Sequence, residues 1–234
     1  MIAPDLETQT AEQILRWAYA EHERVALVAS FQAESSVLID MACRIVDRPE
    51  VLTLDTGRLP EETHDLIEEF RTRYPIRLRV IHPDATEVEA MTAEHGTNPF
   101  RQSVELRLHC CDVRKSRPLE RALHSYDAWI TGLRRQQAKT RATTAVAAPD
   151  PQHGGITKIA PLVTWSKDEV WDYIRAHEVP QHPLYAFGYT SIGCAPCTRA
   201  TAPGEDERAG RWWWEVDGVK ECGLHPNLTV EQSP

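Results

Sequence analysis

Short apolar bursts alternate with amphipathic stretches along the first half of the chain. RVALVAS (residues 24–30) is an apolar run closed by a polar turn. SSVLIDMACRIV (35–46) follows, with Val37, Leu38, Met41, Ala42 and Ile45 on one face of a predicted helix. EVLTLDTG (50–57) predicts a second strand ending in turn residues. LPEETHDLIEEFRTRY (59–74) predicts a helix, with Pro60 and acidic residues in its first turn. IRLRVIH (76–82) alternates at period two and predicts a third strand, and AWITGL (128–133) and KIAPLV (158–163) predict later ones. SKDEVWDYIRAHE (166–178) opens with Ser166 as N-cap and Glu169 as its capping-box partner.

Strands alternating with helices imply an α/β fold, a Rossmann-like parallel sheet with helices on both faces. Ligands of such sheets lie beyond the carboxyl ends of the strands, which here carry SFQAESS, LDTG and TGLRRQQ. After about residue 180 the texture turns to Pro, Gly, aromatics and charge without periodicity. This segment reads as a cover, so residues 1–234 form one domain, with about 216–234 a flexible C-terminal tail. There is no internal repeat.

Composition narrows the setting. No apolar run approaches the roughly 18–20 residues of a membrane span, and the acidic N-terminus is unlike a signal peptide. A cytoplasmic protein is expected, in which thiols stay reduced and serve metals or catalysis. The net charge of −9 argues against nucleic acid as a partner. A small anion held by local arginines remains compatible with it.

Six cysteines are the next signal. Cys110 and Cys111 are adjacent, and Cys194 and Cys197 form a C-x-x-C. Four thiolates suit a structural zinc or an iron–sulfur cluster. Adjacent cysteines point apart on regular structure, which favours the larger object. Cys43 lies on an apolar helix and reads as packing. Cys222, in the polar tail KECGLH (220–225), has no mate in its local sequence.

Anion signals are spread along the chain. SFQAESS joins a strand to a helix, so its amides face an anion position, although it has no glycine. TGLRRQQAKTR (131–141) concentrates Arg134, Arg135, Lys139 and Arg141 after a predicted strand. GEDERAGRWWWE (204–215) adds Arg208 and Arg211 beside three tryptophans. Together they describe a pocket for a nucleotide with more than one negative group.

SFQAESS, LDTG, TGLRRQQ, CC, HPLYAFGYTSIGCAPCTRA, ERAGRWWWE and ECGLH in combination resemble the bacterial, iron–sulfur adenylyl-sulfate reductases. These belong to the phosphoadenylyl-sulfate reductase family, of adenine nucleotide α-hydrolase-like fold, and the resemblance runs from about residue 24 to 225. It implies that Cys110, Cys111, Cys194 and Cys197 ligate a 4Fe–4S cluster, with Lys115 the nearby basic residue. It also implies that residues 30–36, with Ser30, Gln32, Ser35 and Ser36, form the pyrophosphate loop. Asp55, Thr56 and Gly57 would line the adenosine site. Gly132, Arg134, Arg135 and Arg141 would belong to the arginine loop, and Arg208 and Arg211 would bind phosphate and sulfate.

The same resemblance gives Cys222 a purpose. As a thiolate it would attack the sulfate sulfur of adenylyl sulfate, releasing AMP and leaving an S-sulfocysteine. Thioredoxin or a similar dithiol protein would then release sulfite by thiol–disulfide exchange. Glu221 and His225 flank the thiol, and tail solubility is the plain reading of both. Competing readings are a phosphoadenylyl-sulfate reductase that carries a cluster and a non-catalytic iron–sulfur sensor that binds nucleotide. ATP-using members of the superfamily normally keep a glycine-rich SGGxDS-like loop, and SFQAESS lacks those glycines.

Overall fold

The computed structural model describes residues 5–215, 221, 223 and 224. Among these residues six strands form one sheet: β1 (Val25–Val28), β2 (Glu50–Leu54), β3 (Arg77–Ile81), β4 (Ala128–Ile130), β5 (Ala147–Asp150) and β6 (Ile156–Ile159). Their order is β3-β2-β1-β4-β6-β5, parallel except for β5, which pairs antiparallel with β6 at the edge. The direction of winding reverses between β1 and β4, so a crevice opens at their carboxyl ends.

Among the described residues, seven α-helices accompany the sheet: α1 (Ala11–Glu21), α2 (Ala33–Ile45), α3 (Glu61–Arg73), α4 (Ala85–His95), α5 (Val104–Cys111), α6 (Arg117–Leu123) and α7 (Lys167–His177). Period-two alternation divides each central strand between two cores. Leu27 and Ile130 face one core with Leu15, Leu38, Phe70 and Val170, from α1, α2, α3 and α7. Ala26 and Trp129 face the other, with Leu119 and Leu123 of α6. The expected sheet with helices on both faces is present, and Ser166 and Glu169 form the expected capping box. No helix among the described residues is long and apolar enough to cross a membrane.

Three features differ from the sequence pattern. The polar N-terminal stretch contains α1, started by a Thr10–Gln13 capping box and buried through Ala11, Ile14, Leu15 and Ala18. The strand expected over 158–163 starts earlier and stops at Ile159, because Pro161 lacks the N–H a ladder needs. The β5 strand contains Pro149 and Asp150, residues that read as turn, and an edge position tolerates the proline.

Candidate functional site

The crevice is shaped first by the turn between β1 and α2. Phe31 takes the left-handed backbone conformation there (φ 55°) in a loop that has no glycine. For a bulky residue this is strained, and packing holds it: Phe31 is fully buried with its ring 5.3 Å from Phe70, edge to face. Gln32 then caps α2 and ties the loop down, accepting from the Ile192 amide (2.7 Å) and donating to Ser30 Oγ (3.1 Å). The Tyr185 hydroxyl accepts from the Ala33 amide (3.0 Å). Past the end of β4, Gly132 lies against the first turn of α2, where a Cβ would stand 2.9 Å from Glu34 Cβ and 3.2 Å from the Ser35 amide nitrogen.

The cavity bounded by these elements measures about 700 Å³, ample for a nucleotide. Ser30, Gln32, Ser35, Thr56 and Gly132 line it. So do six cations, Lys115, Arg134, Arg141, Lys167, Arg208 and Arg211, against the carboxylates Glu34 and Glu207. In an acidic chain this is a local gathering of positive charge.

The arginines are held in different ways. Arg134 is buried, donates from Nε to Glu34 (2.8 Å) and from Nη2 to Glu207 (3.3 Å), and has no protein partner at Nη1 among the described residues. Arg211 donates from Nη1 to the Ile192 carbonyl (3.3 Å), lies over the Trp212 ring (4.7 Å), and has no such partner at Nε. Gly193 makes room for it, since a Cβ there would lie 2.3 Å from Arg211 Nη2. Arg141 donates from Nε and Nη2 to Glu221 (both 2.9 Å) and from Nη1 to Gln137 (2.5 Å). Arg208 Nη2 reaches the same Glu221 carboxylate at 3.2 Å.

Other expected ligand-binding residues stand aside from the lining. Arg135 turns to Glu7 (2.8 and 3.0 Å) and the Thr144 carbonyl (2.9 Å). Asp55 accepts from the Gly57 amide (2.8 Å) and pairs with His64 (3.1 Å). Ser36 is buried in α2, and its hydroxyl has no protein partner among the described residues.

Beside the crevice lies a sulfur-rich layer. Cys110 and Cys111 end α5, and the chain runs directly into a π-helical turn, Asp112–Ser116, before α6. Such widened turns concentrate at functional sites. Cys194 caps a single 3-10 turn, Ala195–Cys197. The fold brings all four sulfurs into one buried cluster with Met91, Phe100, Val113 and Trp212. Burial pushes the Cys110 thiol up, against the pull of Arg114, and pushes Cys197 up to about 11, with the Cys194 sulfur adding to the rise and Lys115 opposing it. Thr56 Oγ1 stands 3.3 Å from Cys194 Sγ, so the layer shares a wall with the cavity. Cys43 packs against the main core, as expected, with its thiol pushed up to about 12 by burial.

Sequence reasoning missed the residues that hold this layer to the tail. Arg107 is buried and donates from Nε and Nη2 to Glu215 (3.0 and 3.1 Å) and from Nη1 to the Glu221 carbonyl, with its guanidinium 4.5 Å from the Trp212 ring centre. The available signal was spacing: Arg107 precedes Cys110 and Cys111 by three and four residues and so shares their helix face. Cys222 and His225 lie outside the described residues. Glu221 is buried, and Leu224 is part of the cavity lining.

Comparison with known proteins agrees with this geometry. Residues 24–200 match the model of the phosphoadenosine phosphosulfate reductase domain family. An adenosine 5'-phosphosulfate reductase of Burkholderia cepacia is 43% identical over 226 residues, covering 96% of this chain and 90% of the relative. One from Allochromatium vinosum is 44% identical, covering 99% and 93%. The crystal structure of a phosphoadenylyl-sulfate reductase from Candida auris, a phosphate complex, superposes with a TM-score of 0.72 at 26% identity, over 83% of this chain and 93% of that one. A yeast FAD synthetase shares the fold at 13% identity, with a TM-score of 0.59 over 86% and 70% of the two chains.

Proposed function

This chain belongs to the phosphoadenosine phosphosulfate reductase family, and we propose that it reduces adenylyl sulfate to sulfite and AMP by way of Cys222. One observation carries the reading: a cavity with six cations in its lining also has Leu224, two residues beyond Cys222, in that lining. Relatives bearing the adenosine 5'-phosphosulfate reductase name cover nearly the whole chain, which favours the substrate without a 3'-phosphate.

The chemistry asks little acid–base work of the protein. The Cys222 thiolate attacks the sulfate sulfur, a Cys–S–SO₃⁻ bond forms, and the bond from sulfur to the bridging oxygen breaks. AMP leaves with that electron pair. Two anions must meet for this to happen, so neutralisation is the main requirement. Arg134 and Arg211 line the cavity with buried N–H groups that no described residue accepts, and these suit phosphate or sulfate oxygens. A thioredoxin-type dithiol protein then attacks the Cys222 sulfur, sulfite departs, and the partner's second thiol closes its own disulfide. The reductant thus supplies both electrons. A reducing, cytoplasmic setting suits that partner.

The four buried thiols are proposed to hold a 4Fe–4S cluster. No three His, Cys, Asp or Glu side chains among the described residues are gathered so as to hold a single metal ion. Four buried cysteines in one apolar cluster supply the four-thiolate donor set that such a cluster takes. The buried Nε of Arg114 and Nε1 of Trp212, which have no described hydrogen-bond partner, suit sulfur acceptors in such a pocket. When bound, the cluster supplies a fixed charge beside Lys115 and the cavity wall.

The test is Cys222→Ser. The variant is expected to bind AMP normally and to form no sulfite. Wild-type protein given adenylyl sulfate without a reductant is expected to release about one AMP per chain and stop, with the mass of one SO₃ group on the Cys222 peptide. Sulfite production by the serine variant, or an adduct on another cysteine, overturns the reading. Parallel assays with the 3'-phosphorylated nucleotide decide between the two substrates.

A further inference from the structure

The chain between β4 and β5, residues 131–146, brings Arg134 and Arg141 into the cavity lining. Its regular structure is limited to two single 3-10 turns, Arg135–Gln137 and Lys139–Arg141. A segment of this length without a helix or strand must be closed at its neck to hold one shape. The neck is built around Arg135. Its Nε donates to the Thr144 carbonyl (2.9 Å), joining the two ends of the segment, and its amide donates to the Val163 carbonyl (2.9 Å) beyond β6. Its Nη2 donates to both carboxylate oxygens of Glu7, at 2.8 and 3.0 Å, across 128 residues of sequence.

Glu7 is itself held in place. It lies in a 3-10 turn, Leu6–Thr8, capped by Asp5, whose carboxylate accepts from the Glu7 amide (3.2 Å) and whose carbonyl accepts from Thr8 Oγ1 (2.9 Å). Leu6 packs against the main core. Arg135 holds the Glu7 carboxyl below its ordinary range against the opposing effect of burial, and the Val146 amide adds to the pull. One carboxylate thus faces both ends of the segment, Arg135 near its start and Val146 at its close. Direction follows from the backbone. Arg134 is extended (φ −126°, ψ 141°), and neighbouring side chains on extended backbone point to opposite sides. A grip that keeps Arg135 outward on Glu7 therefore keeps Arg134 inward, beside Glu34 and Glu207 in the cavity wall.

We propose that Glu7 is a positioning residue: by gripping Arg135 it closes the neck of the 131–146 segment and orders the cationic wall before the ligand arrives. This rests on the reading of the cavity as the nucleotide site. Without the grip the wall holds its binding shape for only a fraction of the time, and apparent affinity falls by that fraction. The two side chains are 31% and 49% exposed, so the effect is bounded, and it falls on binding rather than on turnover.

The experiment compares Glu7→Gln, Arg135→Gln and the double variant with wild type. Three quantities are measured: AMP affinity by titration calorimetry, the rate of trypsin cleavage after the exposed Lys139 by peptide mass, and thermal melting. In Glu7→Gln the Kd for AMP is expected to rise about three- to tenfold. Cleavage after Lys139 should speed up by a similar factor, and saturating AMP should suppress it. KM for adenylyl sulfate should rise in step while kcat stays within about twofold of wild type. Arg135→Gln, which also loses the bond to Thr144, should bind at least as weakly. Adding Glu7→Gln to it should cost little more, because the pair is already broken. Should Arg135→Gln fail to melt cooperatively, Glu7→Asp carries the test: its carboxylate is set back by one methylene, and it should fall between wild type and Glu7→Gln. An AMP Kd and a Lys139 cleavage rate within about 1.5-fold of wild type in Glu7→Gln overturn the proposal. So do losses that add in full in the double variant, or a lower melting temperature with AMP affinity unmoved. The function itself fails separately. Wild-type protein that does not bind AMP removes that reading, whereas wild type that binds AMP with the Glu7 variants matching it removes only the positioning role.

Discussion

The sheet platform and the sulfur layer are held together by different physics. The platform closes over fully buried aliphatic and aromatic side chains such as Leu15, Leu27, Leu38, Phe70 and Ile130, drawn from β1, β4 and three helices. That attraction is non-directional and scales with area. The sulfur layer has a small apolar cluster, half of it thiols, and is surrounded by the buried charges Arg107, Arg114, Arg211, Glu215 and Glu221. Directional pairs between distant parts of the chain do there what area does in the platform. The platform therefore tolerates change in proportion to volume lost, whereas the layer fails at single atoms.

The largest effect expected from this contrast is at Arg107. Truncation to alanine leaves the Glu215 carboxylate, 5% exposed, without its partner, and breaking such a pair costs about 3–5 kcal/mol. Leu38→Ala in the platform is expected to cost about 2–5 kcal/mol through the cavity it leaves. The two are distinguished by where they act. Arg107→Ala should expose the 199–215 segment to proteolysis under native conditions, and Leu38→Ala should lower the urea midpoint with that segment still protected. Replacing Arg107 and Glu215 together by methionine should recover much of the loss. A cost below about 1 kcal/mol for Arg107→Ala would remove the distinction between the regions.

Two glycines sharpen the comparison at smaller scale. A Cβ on Gly132 meets Glu34 Cβ and the α2 backbone, so Gly132→Ala must move a helix; overpacking of this kind costs about 1–3 kcal/mol of stability. A Cβ on Gly193 meets the guanidinium of Arg211. The side chain is displaced from the cavity wall, and the main loss is a charge-assisted contact to the ligand. AMP affinity by titration calorimetry is expected to fall about 10- to 100-fold in Gly193→Ala, with a smaller change in melting than in Gly132→Ala. The reverse pattern would place Arg211 among the supports of the fold.

The same difference explains what the sequence made legible. β1, β2, β3, α2, α3 and α7 follow from apolar periodicity because burial on a regular face leaves a periodic trace. The α4 helix leaves little trace, since Met91 is its one buried residue, and α1 hides a short apolar face inside an acidic stretch. In the site, residue type singled out the four cysteines and the arginine clusters. Direction was not legible: Arg134 has extended backbone (φ −126°, ψ 141°), so its neighbour Arg135 points elsewhere and reaches Glu7. Glu221 was the least legible. Its partners Arg141 and Arg107 lie 80 and 114 residues away in sequence, and no local pattern encodes them.

The smallest expected effect tests whether a polar group can belong to the platform side of the cavity without a charge. His182 is buried, its Nε2 lies 2.9 Å from Thr63 Oγ1, and its Nδ1 accepts from the Leu184 amide (3.3 Å). Burial pushes its pKa down from 6.5 to about 4, with Glu62 opposing, so the folded protein holds it neutral at pH 7. The unfolded chain takes up a proton near pH 6.5 and the folded one only near pH 4, so between those values the unfolded state binds more protons. Stability contributed by this group is thus complete above about pH 6.5, declines as pH falls toward about 4, and is constant below that. The slope from one group cannot exceed about 1.4 kcal/mol per pH unit. Urea unfolding at pH 7, 6 and 5 should give a shallower decline for His182→Gln than for wild type. The subtraction isolates His182 from carboxylates such as Glu221 and Asp150, whose lowered pKa values make their own losses fall at still lower pH. Equal slopes in the two proteins would mean that His182 is already protonated in the folded state, and its neutral place in the cavity wall would have to be abandoned.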